Sequence, residues 1–467
     1  MATDLPRVLD VVAVSSLDVY VTGGGGAGLV AAAERGPAGT TAELEASGLR
    51  GRGGAGFPTG TKWRTIVDTG VAASRVVVNA AEGEPGSLKD RTLLARNPYR
   101  VLEGALIAAA TVGAPQVLVA LKATSTKEIE ILERAIAELG RAGWGPNVEI
   151  AVLPGPGEYL FGEETALLEV AAGRPPFPRL APPYRDGVSE PPTLANNVET
   201  LANVALIMAN GADWFRQVGT AESPGTVVCT ISGSVRHAGV QEVVLGTPLS
   251  AVIDDVGGGT VEGAGVRAVL SGVSHPLLPA SKLDTPLTYE DMEAAGSGLG
   301  AAGFIVFDDG DDLVAVTQGV ARFLAVESCG QCTPCKQDGL AIADLLDRFR
   351  RSNGTEDDVG VLSSRIDTVT DGARCFLAHQ QQRVVGSLLA LFPEELAAHM
   401  EQAEERRPAV APVVIAELRE IVDGRAKVDQ EHATKQPDWT FDAEDSGTAP
   451  AERMAGPDDL DDVARSG

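Results

Sequence analysis

The chain has 467 residues, 44% of them hydrophobic, which is enough for roughly three domains with packed cores. Its formal net charge of -27 argues against nucleic acid and anionic membrane surfaces as partners. The five cysteines are few and mostly clustered, and no charged-then-apolar leader opens the chain, so we expect a cytoplasmic protein with reduced thiols and no disulfide framework.

The first element is a glycine-rich segment near the amino terminus. Residues 17–21 (L-D-V-Y-V) predict a strand and residues 29–35 (L-V-A-A-A-E-R) predict a helix. Between them Gly23, Gly25 and Gly28 match G-x-G-x-x-G, and we call residues 23–28 the first glycine turn. A strand, a turn and a helix are the context that a dinucleotide-binding fingerprint requires, and the alternative is a glycine-rich turn that only joins two elements.

A second match to the same pattern follows in S-G-L-R-G-R-G-G-A-G-F-P-T-G-T-K-W, at Gly51, Gly53 and Gly56. No strand is predicted before this second glycine turn, residues 51–56, so it fails the fingerprint's context test. Closely spaced glycines nevertheless let backbone N–H groups approach a phosphate. The neighbouring side chains that suit such a ligand are three cations and one aromatic ring, Arg50, Arg52, Lys62 and Phe57. The alternative is a solvated basic loop.

Strands and helices then alternate. Residues 75–80, 116–122 and 148–153 predict strands, and 100–110 predicts a helix. A further helix is predicted from a capping box of Ser125 and Glu128 to a stop at Gly140. The apolar stretch 101–121 is interrupted by charged and turn residues, so a buried helix followed by a buried strand is favoured over a membrane span. The alternation predicts a largely parallel sheet with ligands beyond its strand ends.

Three polar loops lie where such a sheet places ligand contacts. Their candidate side chains and backbone positions are Asn79, Glu82 and Glu84, then Gly162, Glu163 and Glu164, then Asn196 and Asn197. Carboxylates can accept hydrogen bonds from ribose hydroxyls and repel a 2'-phosphate, which favours NAD(H) over NADP(H). We expect Glu163 and Glu164 to act in this way, with little countercharge nearby. Each loop taken alone could be no more than a capped turn.

The remaining chain predicts three further regions. Residues 225–309 carry short β-rich runs and predict a small α+β domain, in which Cys229 is a buried core residue. Residues 311–424 predict helices. Residues 438–467 carry nine Asp and Glu against two Arg and predict disorder, with Trp439 and Phe441 as the aromatic residues able to dock.

The four other cysteines form one pattern, with Cys329, Cys332 and Cys335 in C-x2-C-x2-C and Cys375 forty residues on. This spacing presents three thiolates to one face of a cubane and leaves the fourth ligand to come from elsewhere, so it favours a [4Fe-4S] cluster. A structural zinc site, which more often uses two separated C-x2-C pairs, and unrelated buried cysteines are the alternatives.

Taken together, these motifs resemble the NADH-binding flavoprotein subunit of respiratory complex I and the related diaphorase subunits of NAD-linked hydrogenases and formate dehydrogenases, over residues 23–391. The resemblance implies an α/β fold with a Rossmann-like FMN/NADH-binding domain (1–220). A ubiquitin-like β-grasp (SLBB) domain (221–310), a helical [4Fe-4S] domain (311–425) and an acidic tail (426–467) follow.

The resemblance also implies three cofactors, FMN, NAD(H) and the cluster, and assigns residues to them. The implied flavin contacts are Gly51, Gly53, Lys62, Asn79, Glu82, Gly162, Asn196, Asn197 and Thr200. The implied NADH contacts are Phe57, Glu84, Glu163, Glu164 and Tyr184, and the cluster ligands are Cys329, Cys332, Cys335 and Cys375. The first glycine turn becomes structural. NADH then passes hydride to the flavin, electrons leave singly through the cluster, and no protein base is required.

The chain departs from the family pattern at four places, with Ala81 for an aspartate, Thr65 for an aromatic residue, Phe161 for a small residue or cysteine, and Ala378 for a glycine. Two alternatives to an NADH dehydrogenase subunit therefore stay open. One is the NAD+-reducing diaphorase subunit of a soluble hydrogenase or formate dehydrogenase, and the other is a flavin-free scaffold or electron wire.

The partners expected from the resemblance are a thioredoxin-like [2Fe-2S] subunit and a larger iron-sulfur subunit of a multisubunit complex, which docks near the cysteines. A place on the cytoplasmic side of the membrane through that complex, without direct insertion, is compatible with this interpretation.

Overall fold

The computed structural model describes residues 6–180, 192–261, 264–401, 403 and 406–437. Its helices are α1 Leu17–Thr22, α2 Ala27–Ser47, α3 Thr59–Val67, α4 Lys89–Arg96, α5 Pro98–Val112, α6 Thr126–Arg141, α7 Glu164–Ala171, α8 Val198–Asn210, α9 Ala212–Phe215, α10 Leu249–Gly257, α11 Tyr289–Ala294, α12 Leu313–Glu327, α13 Thr333–Arg350, α14 Glu356–Thr368, α15 Leu377–Leu391 and α16 Pro393–Ala398. Its strands are β1 Arg75–Asn79, β2 Gln116–Lys122, β3 Glu149–Gly155, β4 Thr193–Asn197, β5 Thr226–Gly233, β6 Gly239–Val244, β7 Val266–Ser271, β8 Leu278–Pro279, β9 Gly303–Asp308, β10 Leu418–Val422 and β11 Arg425–Val428.

The first sheet is parallel throughout, with strand order β3-β2-β1-β4. The central strand β1 is buried on both faces because Val76, Val77 and Val78 are all fully buried. Continuous apolar strands of this kind are typical of parallel sheets covered by helices. The predicted alternation of strands and helices is therefore confirmed here, and the carboxyl ends of all four strands meet at one edge.

The region before this sheet differs from its prediction. Residues 17–21 form helix α1 instead of a strand, because Ser16 accepts a hydrogen bond from the Val19 backbone N–H as its N-cap and Tyr20 stacks on Tyr99 at 5.8 Å. Tertiary packing here overrides the β propensity of Val and Tyr. The first glycine turn thus joins two helices.

The predicted capping box of α6 is also wrong. Ser125 precedes the helix, but its side chain makes no capping hydrogen bond, and the helix continues to Arg141. The Glu128 carboxylate instead forms an ion pair with Arg91 of α4 at 3.4 Å. Residues 101–121 do form the buried helix α5 and strand β2, and no helix within the described residues is long and apolar enough to cross a membrane.

A second, mixed sheet has strand order β6-β5-β9-β7-β8 and encloses a separate apolar core. Cys229 lies fully buried in β5, as predicted. Helices α12 to α16 then form the predicted helical region, but residues 418–428 are a β-hairpin, contrary to the expectation of helix. Asp423 and Gly424 both have positive φ, 50° and 71°, and an Asp-Gly pair of this kind closes a two-residue hairpin.

The hairpin and the 3-10 turn Gln430–Ala433 extend the ordered chain past residue 426, where the acidic tail was expected to begin. The segment 417–435, which contains both elements, contacts the parallel sheet, the mixed sheet and the helical region. Lys122 of β2 pairs with Glu417, Ala238 N donates to Gly424 O, and Glu327 of α12 pairs with both His432 and Lys435. The expected disordered tail at 438–467, including Trp439 and Phe441, lies outside the described residues.

Candidate functional site

A cavity of about 640 Å³ lies at the carboxyl edge of the first sheet. This is the edge at which open parallel sheets bind ligands. The candidate cofactor residues that line the cavity are Gly51, Gly53, Phe57, Lys62, Asn79, Glu82, Glu84, Gly162, Glu163, Glu164, Asn196, Asn197 and Thr200. Tyr184 lies outside the described residues. Segments far apart in sequence are thus brought to one place.

The second glycine turn forms one wall of the cavity. Its ends are tied together because Gly51 N donates to Phe57 O at 2.8 Å. A second hydrogen bond of the same length, from Arg52 N to Thr200 Oγ1, joins the turn to α8. Gly54 and Gly56 have positive φ, 118° and 62°, which side chains other than glycine rarely adopt. The exposed ring of Phe57 ends this wall.

Of the three cations predicted beside this turn, Lys62 lines the cavity whereas Arg50 and Arg52 point elsewhere. The Arg52 side chain is 2% exposed, donates to Thr226 O at 2.9 Å and lies 3.8 Å from Glu199, so it is a structural cation. The Arg50 guanidinium lies 3.9 Å above the Tyr289 ring and 3.5 Å from Glu290. The prediction that all three supply charge to a ligand is therefore wrong for two of them.

The carboxylates opposite this turn already have partners within the chain. Glu164 Oε1 lies 2.5 Å from Lys62 Nζ. Glu163 Oε2 caps α7 by accepting from Ala166 N at 2.8 Å, and burial raises the pKa of Glu163. The expectation of little countercharge near Glu164 is wrong, because Lys62 supplies it.

A buried polar cluster follows β1. Glu82 accepts from Ser87 Oγ at 2.7 Å and from two backbone N–H groups at the start of α4. Lys89 lies between Asp90 at 2.6 Å and Glu199 at 3.1 Å. Burial disfavours the charged form of Lys89, but the carboxylates of Asp90, Glu199 and Glu82 outweigh it and raise its pKa. Burial, assisted by Asp90, raises the pKa of Glu82.

Glu84 lies in a second buried network on the cavity wall. Its Oε1 accepts from Val273 N and Ser274 Oγ, both at 2.7 Å, and its Oε2 accepts from Tyr159 Oη at 2.5 Å. Burial raises the pKa of Glu84 in spite of these donors. The loop after β7 therefore contributes to the site, which the sequence did not indicate.

Hydrogen bonds also fix the orientation of the three amide side chains in the wall. Asn79 Nδ2 donates to Gly162 O at 2.8 Å, Asn196 Oδ1 accepts from Trp63 Nε1 at 2.7 Å, and Asn197 Nδ2 donates to Asp90 Oδ2 at 2.6 Å. Preorganised polar groups of this kind give a cavity its selectivity.

The departures from the family pattern have local consequences. Ala81 lines the cavity and packs in one apolar cluster with the fully buried ring of Phe161. The position without a carboxylate is thus part of a packed wall. Thr65 is exposed on α3, donates to Thr61 O at 2.9 Å and is not among the residues lining the cavity.

The first glycine turn is filled by a carboxylate of the chain itself. Glu103 of α5 accepts from Gly26 N and Tyr20 Oη, both at 2.7 Å, and from Leu29 N at 2.9 Å. A Cβ atom at Gly28 would lie 2.3 Å from Ala205 O, so this glycine permits α2 and α8 to pack closely. The turn is structural, in agreement with the family-based expectation.

The four clustered cysteines line one small cavity at the start of α13. Its other walls are mostly apolar, with Leu160, Pro178, Ala373, Leu377 and Ala378. Burial raises the pKa of Cys335 to about 11 and also raises the pKa of Cys329 and Cys375. Within the described residues, no three His, Cys, Asp or Glu side chains are grouped as ligands of a single metal ion. The sulfurs instead surround a cavity, as the ligands of a polynuclear cluster do.

The two cavities share a wall. Cys375 lines both of them, and so do Leu160 and Leu377. A ligand in the large cavity is therefore separated from the cysteine cavity by single side chains. The spacing of the cysteines alone did not show this adjacency.

The residues present fit a flavin mononucleotide and an iron-sulfur cluster. The large cavity has the size of a small-molecule site and offers glycines and one lysine for a phosphate and fixed amides for a polar ring edge. The small one offers four thiols with apolar surroundings. Further residues lining the large cavity that sequence reasoning missed are Lys89, Asp90, Tyr159, Ser274, His275, Phe376 and Gln380. Lys89, Asp90 and Tyr159 lie in the polar loops after the strands, and Phe376 directly follows Cys375. Ser274, His275 and Gln380 come from segments that carry no recognisable local motif.

Comparisons with known proteins agree with this geometry. Residues 44–206 match the family profile of the Nuo51 FMN-binding domain, and residues 315–399 match that of the NADH-ubiquinone oxidoreductase-F iron-sulfur binding region. The chain is 36% identical over 410 residues to an F subunit of the NADH-quinone oxidoreductase of Rhizobium meliloti, covering 85% of this chain and 97% of that one. It is also 36% identical to the NADP-reducing hydrogenase subunit HndC of Solidesulfovibrio fructosivorans, covering 83% and 81%.

Among solved structures, a NAD+-reducing [NiFe]-hydrogenase in its H2-reduced state matches with a TM-score of 0.73 and 34% identity, over 79% of this chain. The chain spans 64% of the length of that hydrogenase chain. The chain belongs to the family of NADH-quinone oxidoreductase F subunits and their hydrogenase relatives. The predictions of an FMN region and an iron-sulfur region are confirmed, and the iron-sulfur match decides against zinc.

Proposed function

We propose that this chain is the flavoprotein electron-entry subunit of an NADH dehydrogenase, which takes hydride from NADH at FMN and passes single electrons to a [4Fe-4S] cluster. The observation that carries the proposal is the wall common to the two cavities, with Cys375 in both. Electron transfer between two centres requires a short path, and this wall supplies one.

The chain's own residues would bind the two cofactors and orient them. Gly53, Gly54 and Lys62 would hold the FMN phosphate, and the fixed amides of Asn196 and Asn197 would hold the polar edge of its ring. When bound, FMN supplies the conversion of a two-electron donor into one-electron steps, which no side chain here provides. Cys329, Cys332, Cys335 and Cys375 would hold the cluster.

NADH is the proposed nucleotide. Phe57, which lines the cavity and is 55% exposed, offers a stacking surface for a ring. Glu84, Glu163 and Glu164 offer carboxylate oxygens to ribose hydroxyls. The Lys62–Glu164 pair makes the preference over NADPH weaker than two unpaired carboxylates would give, because one of the two negative charges is already neutralised.

The proposed domains keep the bounds predicted from the sequence for the first two, 1–220 and 221–310. The helical domain is extended from residue 425 through the hairpin to residue 437. An SLBB-type β-grasp assignment for the middle region is supported by its strand order β6-β5-β9-β7-β8, its β5–β6 hairpin, the parallel β5–β9 pair and helix α10. A β-grasp fold has the same arrangement of a hairpin, a helix and a parallel pairing of its first and last strands.

The relatives favour two possible directions of the same chemistry. The hydrogenase relatives carry NAD(P)-reducing names, so a diaphorase that receives electrons through the cluster and reduces NAD+ is the second candidate. Both directions use the same cavities. A flavin-free scaffold is disfavoured because the cavity is lined by every described candidate residue in spite of Ala81.

The proposed partners are those of a multisubunit complex in the cytoplasm, namely a thioredoxin-like [2Fe-2S] subunit and a larger iron-sulfur subunit. The half-exposed ring of Phe376 beside Cys375 supports a docking surface close to the cluster. A complex purified under gentle conditions should contain both subunits, and a chain that runs alone and reduces a soluble acceptor would contradict this proposal.

The proposed function is tested by cofactor analysis of anaerobically purified protein. We expect one acid-released FMN and about four irons per chain, as four-thiolate ligation of a cubane requires. Cys375→Ser should lower the iron content while leaving the FMN, and Cys229→Ser, a buried cysteine away from both cavities, is the matched control that should leave both unchanged. A colourless acid supernatant from the assembled complex would establish the flavin-free scaffold instead.

A further inference from the structure

One polar atom in the wall of the large cavity has no partner in the chain. Gln380 lies in the first turn of α15, lines the cavity and is 7% exposed. Its Oε1 is buried and accepts no hydrogen bond. Buried acceptors are rarely left without a donor in folded proteins, and an unpaired one in the wall of a ligand cavity can take its donor from the ligand or from a bound water.

The neighbouring network determines which end of the Gln380 amide is free. Gln380 Nε2 lies 3.0 Å from Tyr159 Oη, and Tyr159 Oη donates its single proton to Glu84 Oε2 at 2.5 Å. The phenol oxygen can therefore act only as an acceptor toward Gln380, which requires the NH2 end of the amide. The carbonyl end is left for another donor.

The network is also held in place from its far side. Ser274 Oγ and Val273 N both donate to Glu84 Oε1 at 2.7 Å. Each member of the chain from Val273 to Gln380 thus has a fixed role as donor or acceptor. The Gln380 side chain is held in the cavity wall by a preorganised set of bonds, which lowers the cost of binding a ligand there.

The position of Gln380 selects the part of the ligand that reaches it. It lies five residues after Cys375, which belongs to the wall shared with the cysteine cavity. The reacting rings must be close to this wall if electrons are to leave by a short path. Among the groups of a nicotinamide nucleotide, the ring carboxamide carries N–H donors next to the reacting carbon.

We propose that Gln380 is a specificity-determining residue whose Oε1 accepts a hydrogen bond from the carboxamide N–H of the nicotinamide. This rests on the proposed function, since it requires that the cavity bind a nicotinamide nucleotide. The competing N–H donor in the same cavity is the imide group of the flavin ring, which the experiment below separates from the carboxamide.

The test pairs a protein variant with a ligand analogue. Gln380→Met keeps the length of the side chain and removes the acceptor oxygen. Acetylpyridine adenine dinucleotide carries a methyl ketone in place of the carboxamide and has no N–H donor at that position. Equilibrium dissociation constants of NAD+ and of this analogue are measured on FMN-loaded protein by calorimetry at mildly alkaline pH, where Glu84 is favoured as a carboxylate.

In the unmodified protein NAD+ should bind more tightly than the analogue. Gln380→Met should weaken NAD+ binding by about fivefold, the loss expected for one neutral hydrogen bond, and change analogue binding by less than about twofold. The preference for NAD+ should therefore largely disappear. The FMN dissociation constant should stay within about twofold, because the flavin makes no bond to Gln380 in this proposal.

Gln381→Met is the matched control. Gln381 is the next residue in α15, is 1% exposed, donates to Gly339 O at 3.4 Å and is not among the residues lining the cavity. It should leave the preference for NAD+ unchanged.

If Gln380→Met weakened the binding of NAD+ and of the analogue equally, the proposal would be overturned, since this would show a general change in the shape of the cavity. Loss of FMN affinity with an unchanged nucleotide preference would assign Gln380 to the flavin instead. Failure of the proposed function is a separate result, because the unmodified protein would then lack FMN or fail to bind NAD+.

Discussion

The two glycine turns match the same sequence pattern but have different roles, because one is filled by a side chain of the protein and the other lines a cavity. In the first, residues 23–28, the Glu103 carboxylate accepts from the backbone N–H groups of Gly26 and Leu29. In the second, residues 51–56, the glycines line the large cavity and Lys62 stands beside them. The first glycine turn is filled by a carboxylate of the chain itself, whereas the second glycine turn is open to the anionic group of a ligand. What decides the role of such a turn is which group meets its N–H donors, and the glycine spacing does not encode that.

The largest effect that this comparison predicts is on the first turn. Glu103→Leu leaves Gly26 N, Leu29 N and Tyr20 Oη without their buried acceptor, so the free energy of unfolding should fall by about 4 kcal/mol. Urea unfolding of the flavin-free protein, followed by circular dichroism, measures the change. The FMN dissociation constant of the folded fraction should not change, and a loss of FMN affinity without loss of stability would reverse the roles of the two turns.

A smaller loss of stability is expected from Gly28→Ala. The added Cβ would lie 2.3 Å from Ala205 O, a backbone atom that can move only with α8, so we expect a loss of about 2 kcal/mol. The same unfolding experiment measures it. Unchanged stability would show that α2 and α8 do not require this close contact.

The matched substitution in the second turn should act on the cofactor. A Cβ at Gly53 would lie 3.3 Å from Asn197 Cβ, which a small shift can accommodate, but the methyl group also narrows the wall at which a phosphate must approach the backbone. Gly53→Ala should therefore weaken FMN binding by about tenfold. Fluorescence titration of the apoprotein with FMN measures this. Normal affinity with reduced stability would contradict it.

Lys62→Met sharpens the comparison through charge. Removing the cation from the cavity wall should weaken FMN binding by about fivefold, and the loss should shrink at high salt. Its partly exposed pair with Glu164 contributes little to stability. Arg50→Met is the control, since Arg50 lies beside the same turn but over the Tyr289 ring. Equal effects of the two substitutions would indicate a long-range field instead of a local phosphate contact.

The smallest effect concerns nucleotide choice. Glu164→Gln removes a negative charge and also frees Lys62, so the ratio of kcat/KM for NADPH to that for NADH should rise about threefold. Steady-state kinetics on FMN-loaded protein gives the ratio. If the ratio does not change while FMN stays bound, Glu164 has no part in nucleotide selection.

The four cysteines that line the small cavity and thirteen residues that line the large one could be predicted from the sequence, because family motifs and strand-end loops mark them. It missed what depends on tertiary contacts. The segment 17–21 has β propensity but is a helix because Ser16 caps it and Tyr20 packs on Tyr99. The Asp423-Gly424 pair, by contrast, is a hairpin signal that the sequence does carry.

Other features had no signal in the sequence. Lys62 and Glu164 are about a hundred residues apart, and their pairing appears only when the start of α7 and α3 meet at the cavity. Gln380 is separated from Tyr159 by 221 positions, and its unpaired carbonyl follows from that contact. Long-range pairing of this kind is set by the fold, so a local pattern cannot reveal it.

The central claim is that FMN binds in the cavity at the second glycine turn, next to the cluster, and passes its electrons to the cluster. One NADH per chain, added anaerobically to protein of known FMN and iron content, tests it most directly when flavin absorption and the cluster's electron paramagnetic resonance are recorded together. We expect the flavin to bleach and the cluster signal to appear in the unmodified protein, and the flavin alone to respond in Cys375→Ser. A cluster signal without any flavin, or a full cluster signal in Cys375→Ser, would contradict the account.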